Sequence, residues 1–294
     1  MTHRKFSFSQ MLIVLILCAS ALTMLVPILN IFAMSFSDPH FANLLQGYDI
    51  LPKGFATINF QVILSNSVVW RSISNSLFIT IVGVSLNILL TSSTAYVLTR
   101  PGFVGKKIIM YFLIIMMIFE PGIVQEYFVM KNIGLLDNLW SMVLYKSVNV
   151  YYLIILMRFF EDIPQSLIEA ATIDGAGHVN MLFKIIIPLG KIPLLTVGMF
   201  YGVFRWNEFF KSSVFLSSKK NTVLQVLLRQ FVINSDSQVL VGASNLFANN
   251  AIAQLNNASL KAATIVVAMI PILMIYPIII KHYTSGVLTG GVKE

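Results

Sequence analysis

Long apolar runs, separated by short polar segments, dominate this 294-residue sequence. A helix needs about 20 consecutive apolar residues to cross the hydrocarbon core of a bilayer, and several runs reach that length. Only 11% of the residues are charged, whereas soluble domains contain about 25%. The sequence therefore predicts an all-α polytopic membrane protein and excludes an ordinary soluble domain.

Six of these runs are predicted to be transmembrane helices of one domain over residues 1–294. The first run follows a basic start, but it is too long for a signal peptide and no small-residue cleavage site ends it. We therefore predict an uncleaved first helix. The predicted spans are residues 11–34, 73–98, 108–130, 141–160, 192–215 and 261–282, with a polar loop at 161–191.

Lysine and arginine residues in the short loops determine the predicted orientation, because the positive-inside rule applies best to short loops. With six spans, both termini lie on the same side, and this side is predicted to be cytoplasmic. The large segments 37–72 and 216–260 would then be outside, and the net charge of +8 reflects orientation and not nucleic-acid binding. The basic residues behind this prediction are Arg4, Lys5, Arg100, Lys106, Lys107, Arg158, Lys184, Lys191, Lys281 and Lys293.

Sequence motifs of enzymes and metal sites are missing. No Walker A pattern or other phosphate-binding loop occurs. Cys18 is the only cysteine, so the sequence provides neither a disulfide nor a cysteine cluster. The four histidines lie far apart, and nothing resembles the Ser/His or Ser/Lys pair of an intramembrane hydrolase. We therefore predict no catalytic residue, no metal ligand and no cofactor bound by this chain itself.

A polar segment rich in small residues, IEAATIDGAG at 168–177, interrupts the apolar sequence. Ser166 and Glu169 fit a capping box, in which each side chain bonds a backbone N–H at a helix start. Gly175 and Gly177 would permit a tight reversal after this helix, and a second amphipathic segment follows. The pattern predicts a helix–turn–helix on the membrane surface. Local features alone are compatible with a plain interfacial helix and with a docking element for another protein.

The order of residues in this segment resembles the EAA loop of binding-protein-dependent ABC importer permeases. The similar residues run from Glu169 to Ala176 and continue at Ile185–Leu189. Other stretches resemble the carbohydrate branch of these permeases, near the smaller maltose-type subunit and its Gram-positive relatives that import oligosaccharides or polysaccharide fragments. These stretches are NSL at 75–77, AYVLTR at 95–100, GLLDNLW at 134–140, RFFEDIP at 158–164, WNEFF at 206–210 and LQVLLRQ at 224–230.

This resemblance implies a function and a set of partners. The chain would be the permease subunit of an ATP-driven oligosaccharide importer in a bacterial plasma membrane, and two partner ATPase subunits would bind ATP and Mg²⁺. A second homologous permease and an extracellular, lipid-anchored sugar-binding protein would complete the complex. Residues 165–189 would be the coupling helix, seated in a cleft of an ATPase subunit. The residues thereby assigned to coupling are Glu169, Ala170, Ala171, Asp174, Gly175 and Pro188.

Ionisable residues at predicted membrane depth are candidates for the transport path, because a charge in lipid is costly and usually faces water or the bundle interior. Glu120 lies beside a Pro-Gly break, and both a pathway acid and a structural ion pair fit it. Trp206, Asn207 and Glu208 combine a ring for sugar stacking with polar groups, although tryptophan is also common at membrane interfaces. Further ionisable candidates are Glu126, Lys146 and Arg205, and the last two could instead reach towards the interface.

An ion-coupled secondary carrier that uses Glu120 and Glu126 is the alternative from a different functional class. Most such carriers have more spans, with broken helices and paired charges near the midplane. Uptake that depends on ATP favours the importer, and uptake that depends on an ion gradient favours the carrier. A membrane enzyme is a more distant alternative, because the sequence lacks a catalytic constellation.

Overall fold

The computed structural model describes residues 8–233 and 256–290, without the side chains at 275 and 278–290. Within these ranges the chain forms helices and loops and no β-strand, and a single isolated bridge joins Ser37 to Phe55. Arg4, Lys5, Lys293 and the 234–255 part of the predicted outer segment lie outside the described residues. The helices are α1 Phe8–Ser35, α2 Ile58–Leu64, α3 Ser67–Thr99, α4 Lys106–Ile118, α5 Ile123–Asn132, α6 Leu139–Leu144, α7 Val150–Glu161, α8 Gln165–Ile173, α9 His178–Leu189, α10 Lys191–Asn207, α11 Phe210–Phe215, α12 Leu224–Ile233 and α13 Asn257–Gly290.

The described part of the chain divides into two compact units, residues 8–70 with 227–233 and 256–270, and residues 71–226 with 271–290. In the first unit, the loop after α1 is held by side-chain amides. Nδ2 of Asn30 donates hydrogen bonds of 2.7 Å to the carbonyl oxygens of both Gln46 and Asp49. Because these bonds satisfy backbone groups that no helix pairs, the loop keeps a defined conformation.

Three described helices are long and apolar enough to cross a membrane, namely α1, α3 and the Asn257–Met274 part of α13. Two bent pairs raise the number to five if each pair is one span: α4 with α5, bent by 118°, and α9 with α10, bent by 86°. The predicted spans 108–130, 141–160 and 192–215 are each covered by two helices with a break between them. The count of six spans and the single domain therefore stay predictions.

Local chemistry explains two of these breaks. Pro121 disfavours helical geometry at Glu120 and has no N–H to donate, so α4 ends before it. The α6–α7 connection contains Lys146 with a φ of +47°, a conformation that non-glycine residues seldom adopt. The side chain of Asn149 then caps α7 by accepting a hydrogen bond of 2.9 Å from the N–H of Tyr151. Both interruptions are thus specified by the residues at the break.

Two apolar cores fill the second unit. The first packs the loop region 161–191 against α3, α7 and α10, and the second lies against the helix breaks. Fully buried side chains of the first core include Leu153, Leu156, Phe160, Ile186, Val197 and Tyr201. Buried side chains of the second include Ile79, Met142, Val143, Phe215 and Val223. The cores therefore fix the positions of both candidate functional regions.

Candidate functional site

The first helix of the polar loop, α8, begins at Gln165, and the residue before it is Pro164. The predicted capping box does not form: Ser166 is already the second helical residue, and no side chain caps the helix start. Pro164 explains the earlier start, because its φ of −54° suits entry into a helix. The capping-box prediction was wrong, but the helix itself is confirmed.

The end of α8 has the predicted tight reversal. Gly175 has a φ of +79°, and its N–H donates to the carbonyl oxygen of Thr172 at 3.0 Å. The N–H of Ala176 donates to the carbonyl oxygen of Ala171 at 2.9 Å. These two bonds form a Schellman motif, which satisfies the last carbonyls of the helix and requires a left-handed residue at the glycine position. The predicted tight reversal at Gly175 is confirmed, and its assignment to coupling stays a prediction.

The two alanines of the EAA sequence lie in different surroundings. Ile168 is buried in the first core, and Ala171 packs against the same core. Ala170 is exposed, as are Glu169 and Asp174. Only part of the small-residue surface is therefore available to another protein, and the remainder holds α8 to its own chain.

The second helix of the loop, α9, is attached to the end of α3. Oη of Tyr96 lies 3.0 Å from Nδ1 of His178, and the Arg100 guanidinium lies 4.6 Å from the centre of the Tyr96 ring. Val179, the first apolar residue of the predicted second amphipathic segment, is 72% exposed. A π-helical segment from Met181 shifts the side-chain register, and the buried face begins there. Pro188 lies exposed in the last turn of α9.

The predicted ionisable residues meet at the helix breaks of the second unit. Nζ of Lys146 lies 2.7 Å from Oε1 of Glu120, and Glu126 forms an ion pair with Lys211. Oε1 of Glu208 accepts a hydrogen bond of 2.8 Å from the backbone N–H of Lys211 at the start of α11. The breaks after α4, α6 and α10 are therefore connected by charged side chains. We call Glu120, Glu126, Lys146, Glu208 and Lys211 the break cluster.

Sequence reasoning missed two members of this region, Tyr145 and Lys211. The ring centre of Tyr145 lies 5.8 Å from Nζ of Lys146 and 5.5 Å from Nζ of Lys211, so both ammonium groups lie near the same ring. An aromatic face attracts cations at this distance. No motif in the sequence marks either residue, because their relation depends on how the broken helices pack.

The other two predicted path residues, Trp206 and Asn207, differ in exposure. Trp206 is only 5% exposed, and its ring faces the interior of the chain. Asn207 is exposed, and its side chain donates to the carbonyl oxygen of Val203 at 2.9 Å. Their role in sugar recognition stays a prediction. Because Asn207 is exposed and Trp206 is buried in this conformation, Asn207 is the better candidate for contact with a sugar.

Arg205 is buried, so the alternative that its side chain reaches towards the interface was wrong. Its guanidinium donates to Oδ1 of Asn87 and to the carbonyl oxygen of Val143, both at 3.0 Å, and also to the carbonyl oxygen of Met142. Several backbone oxygens at the end of one helix can thus stabilise a buried cation. Arg205 joins α3, α6 and α10 and thereby supports the break cluster.

Comparisons with known proteins agree with this architecture. No protein-family model matches the chain. It is 33% identical over 284 residues, 97% of its length and 98% of the relative's, to the polygalacturonan/rhamnogalacturonan transport system permease protein YtcP of Bacillus subtilis. It is 28% identical over 250 residues, 83% of both chains, to the melibiose/raffinose/stachyose import permease protein MelC of the same species.

A solved structure extends this similarity to the fold. The structure is that of a bacterial ABC transporter involved in the import of the acidic polysaccharide alginate. The TM-score is 0.84 at 28% sequence identity, and the match covers 94% of this chain and 98% of that one. The helical fold is therefore shared with a chain of that transporter.

Proposed function

Because the chain belongs to the family of ABC sugar-importer permeases, we propose that it forms half of the path by which a bacterial importer takes up oligosaccharides or polysaccharide fragments. The ion-coupled carrier is not retained, because the relatives that define the family are permeases of transport systems of the ABC type. The chain would supply the path, and ATP hydrolysis elsewhere in the complex would supply the energy.

The observation that carries the coupling role is the two-sided character of α8. Buried Ile168 and the neighbouring Ala171 hold the helix to the first core, whereas Ala170 and Ile173 are exposed. Exposed small and apolar residues on a firmly attached helix are suited to a protein contact, because they allow close approach with little loss of side-chain freedom. We assign residues 165–189 to contact with an ATPase subunit.

The complete transporter would contain this chain, a second homologous permease, two ATPase subunits that bind ATP and Mg²⁺, and an extracellular lipid-anchored sugar-binding protein. Membrane lipid would surround the permeases, and nucleic acid would have no role. Both termini and the loop 161–191 would be cytoplasmic, as the basic short loops predict. The chain would have no ATPase site of its own.

Substitutions of Ala170 and Glu169 test the coupling role. Overpacking a fitted contact costs about 1–3 kcal/mol, and each 1.4 kcal/mol is about tenfold in association. Ala170→Trp should therefore reduce co-purification of the ATPase at least several-fold while the permease inserts normally. Glu169→Ala should impair assembly less, because an exposed ion pair contributes only about 0–1 kcal/mol. Its effect should instead be a loss of ATP hydrolysis stimulated by the loaded binding protein.

Ala171→Trp is the matched control, because Ala171 packs against the permease's own core. This variant should lower the amount of folded permease, a defect that Ala170→Trp should not show. If Ala170→Trp retains wild-type ATPase co-purification and stimulated hydrolysis, the segment contacts lipid or water and the coupling proposal fails.

Thiol labelling in intact cells tests the orientation. In a Cys18→Ala background, a cysteine at Tyr48 should react with an impermeant reagent from outside, because Tyr48 is exposed in the predicted outer segment. A cysteine at Val179, also exposed, should be protected until the membrane is opened. The reverse pattern would place the loop 161–191 outside and contradict the proposed orientation.

A further inference from the structure

The break cluster combines two features that are costly in a membrane protein. Its backbone is interrupted at three places, after α4, α6 and α10, and its side chains carry charges. Interrupted backbone at membrane depth is tolerated only where it is buried in protein or lines a water-filled space. Charged residues at that depth face the same kinds of surroundings. At the membrane depth that the predicted spans give these breaks, the cluster indicates a polar region of the path.

The two ion pairs of the cluster differ in exposure. The side chains of Glu126 and Lys211 are 12% and 15% exposed, so this pair is enclosed by the chain. The side chains of Glu120 and Lys146 are 65% and 33% exposed. The outer pair consequently lies on a surface that this chain leaves open. Because lipid would not solvate an open ion pair, this surface faces water, a polar ligand or the second permease of the proposed complex.

Within the outer pair, the cation is the better fixed member. Lys146 follows buried Tyr145, and its ammonium group lies near that ring. Its φ of +47° is unfavourable for lysine, and such conformations persist where the surrounding structure imposes them. Glu120 is mostly exposed and extends from the short connection between α4 and α5. An incoming group can therefore displace Glu120 more easily than Lys146.

We propose that Lys146 binds a carboxylate of the transported saccharide, and that this carboxylate replaces Glu120 as the partner of the ammonium group. The proposal rests on the proposed function and specifies its substrate class as acidic oligosaccharides that contain uronic acid residues. The exchange conserves one ion pair at the site, so the charge of the substrate is compensated while Glu120 turns towards water. Glu120 thus competes with the substrate for Lys146.

Competition predicts opposite effects for the two members of the pair. Cells with the complete importer are assayed for ATP-dependent uptake of trigalacturonate, with maltotriose as the neutral trisaccharide. Lys146→Asn, which removes the charge and tolerates positive φ, should raise the half-saturating concentration of trigalacturonate at least about tenfold, equivalent to about 1.4 kcal/mol. Glu120→Gln should leave this concentration unchanged or lower it. Lys146→Arg should remain within a few-fold of wild type.

Lys53→Asn is the matched control, since Lys53 also forms an ion pair with a carboxylate, that of Asp49, but belongs to the other unit. It should leave uptake unchanged, and ATPase co-purification should be normal in all these variants. Equal losses in Lys146→Asn and Glu120→Gln would show a structural pair and overturn the exchange. If the wild-type importer takes up maltotriose but not trigalacturonate, the exchange is also overturned. If the wild type imports neither sugar although its ATPases are bound, the proposed saccharide function itself fails.

Discussion

Oη of Tyr96 and Nδ1 of His178 are 3.0 Å apart, and this contact joins the end of α3 to the start of α9. A displacement of the loop by a bound ATPase would therefore act directly on a long apolar helix. Neither residue was assigned a role from the sequence. The contact suggests that coupling depends on how the loop is held as well as on the EAA residues.

Tyr96→Phe tests this connection, because it removes only the hydroxyl. A hydrogen bond contributes about 0.5–1.5 kcal/mol, so the permease should still insert and bind its ATPase. Hydrolysis stimulated by the loaded binding protein should fall at least twofold relative to basal hydrolysis. Tyr151→Phe, which alters an exposed tyrosine of α7, is the control. An unchanged ratio of stimulated to basal hydrolysis in Tyr96→Phe would show that the bond has no part in coupling.

Gly175 and Gly177 offer a matched pair for the turn. Neither has another atom within 4 Å of an added Cβ, but Gly175 has a φ of +79° whereas Gly177 has −70°. Gly175→Val should cost about 1–2 kcal/mol or more from backbone strain alone. We expect Gly175→Val to lose ATPase co-purification to a degree similar to Ala170→Trp, and Gly177→Val to retain it. Similar behaviour of the two valine variants would mean that positive φ at Gly175 is not required.

Arg205→Met tests the buried support of the helix breaks. The substitution leaves Oδ1 of Asn87 and the carbonyl oxygen of Met142 without their donor in a buried place, and each such loss costs about 1–3 kcal/mol. The melting temperature of the purified permease in detergent should fall by several degrees. Arg158→Met, at an exposed arginine of α7, should change it little. Equal melting temperatures for the two variants would exclude a supporting role for Arg205.

We predict that the stability of the protein depends on pH through Asp137, which lies outside the predicted spans. The backbone N–H of Ser218, with further bonds from its hydroxyl, Asn221 and Ser217, holds the pKa of Asp137 below its ordinary value of 3.8. Because this pKa is lowered on folding, the resulting stabilisation is present above the ordinary pKa and is lost as the pH falls through the folded value. The melting temperature of wild type should exceed that of Asp137→Asn at pH 6. This difference should shrink below about pH 4, and a constant difference would contradict the assignment.

The polar loop shows which local features a sequence can specify. The helix, the reversal at Gly175 and the second amphipathic segment follow from short-range patterns, because caps and turns depend on neighbouring residues. The capping box failed for a similarly local reason, since the N-cap Pro164 starts α8 at Gln165, two residues earlier than an N-cap at Ser166 would. The pattern could not show that Ala170 is exposed while Ala171 contacts the core, because burial depends on residues distant in sequence.

For the protein as a whole, the sequence by itself determined the membrane class, the positions of the main apolar helices and the family, because hydrophobic length and a colinear set of motifs are encoded along the chain. Only the tertiary structure decided that Glu120 pairs with Lys146, that Glu126 pairs with Lys211 and that Arg205 is buried. These pairs join residues 26 and 85 positions apart. The packing of the broken helices determines which of these residues pair, and no local periodicity in the sequence indicates that packing.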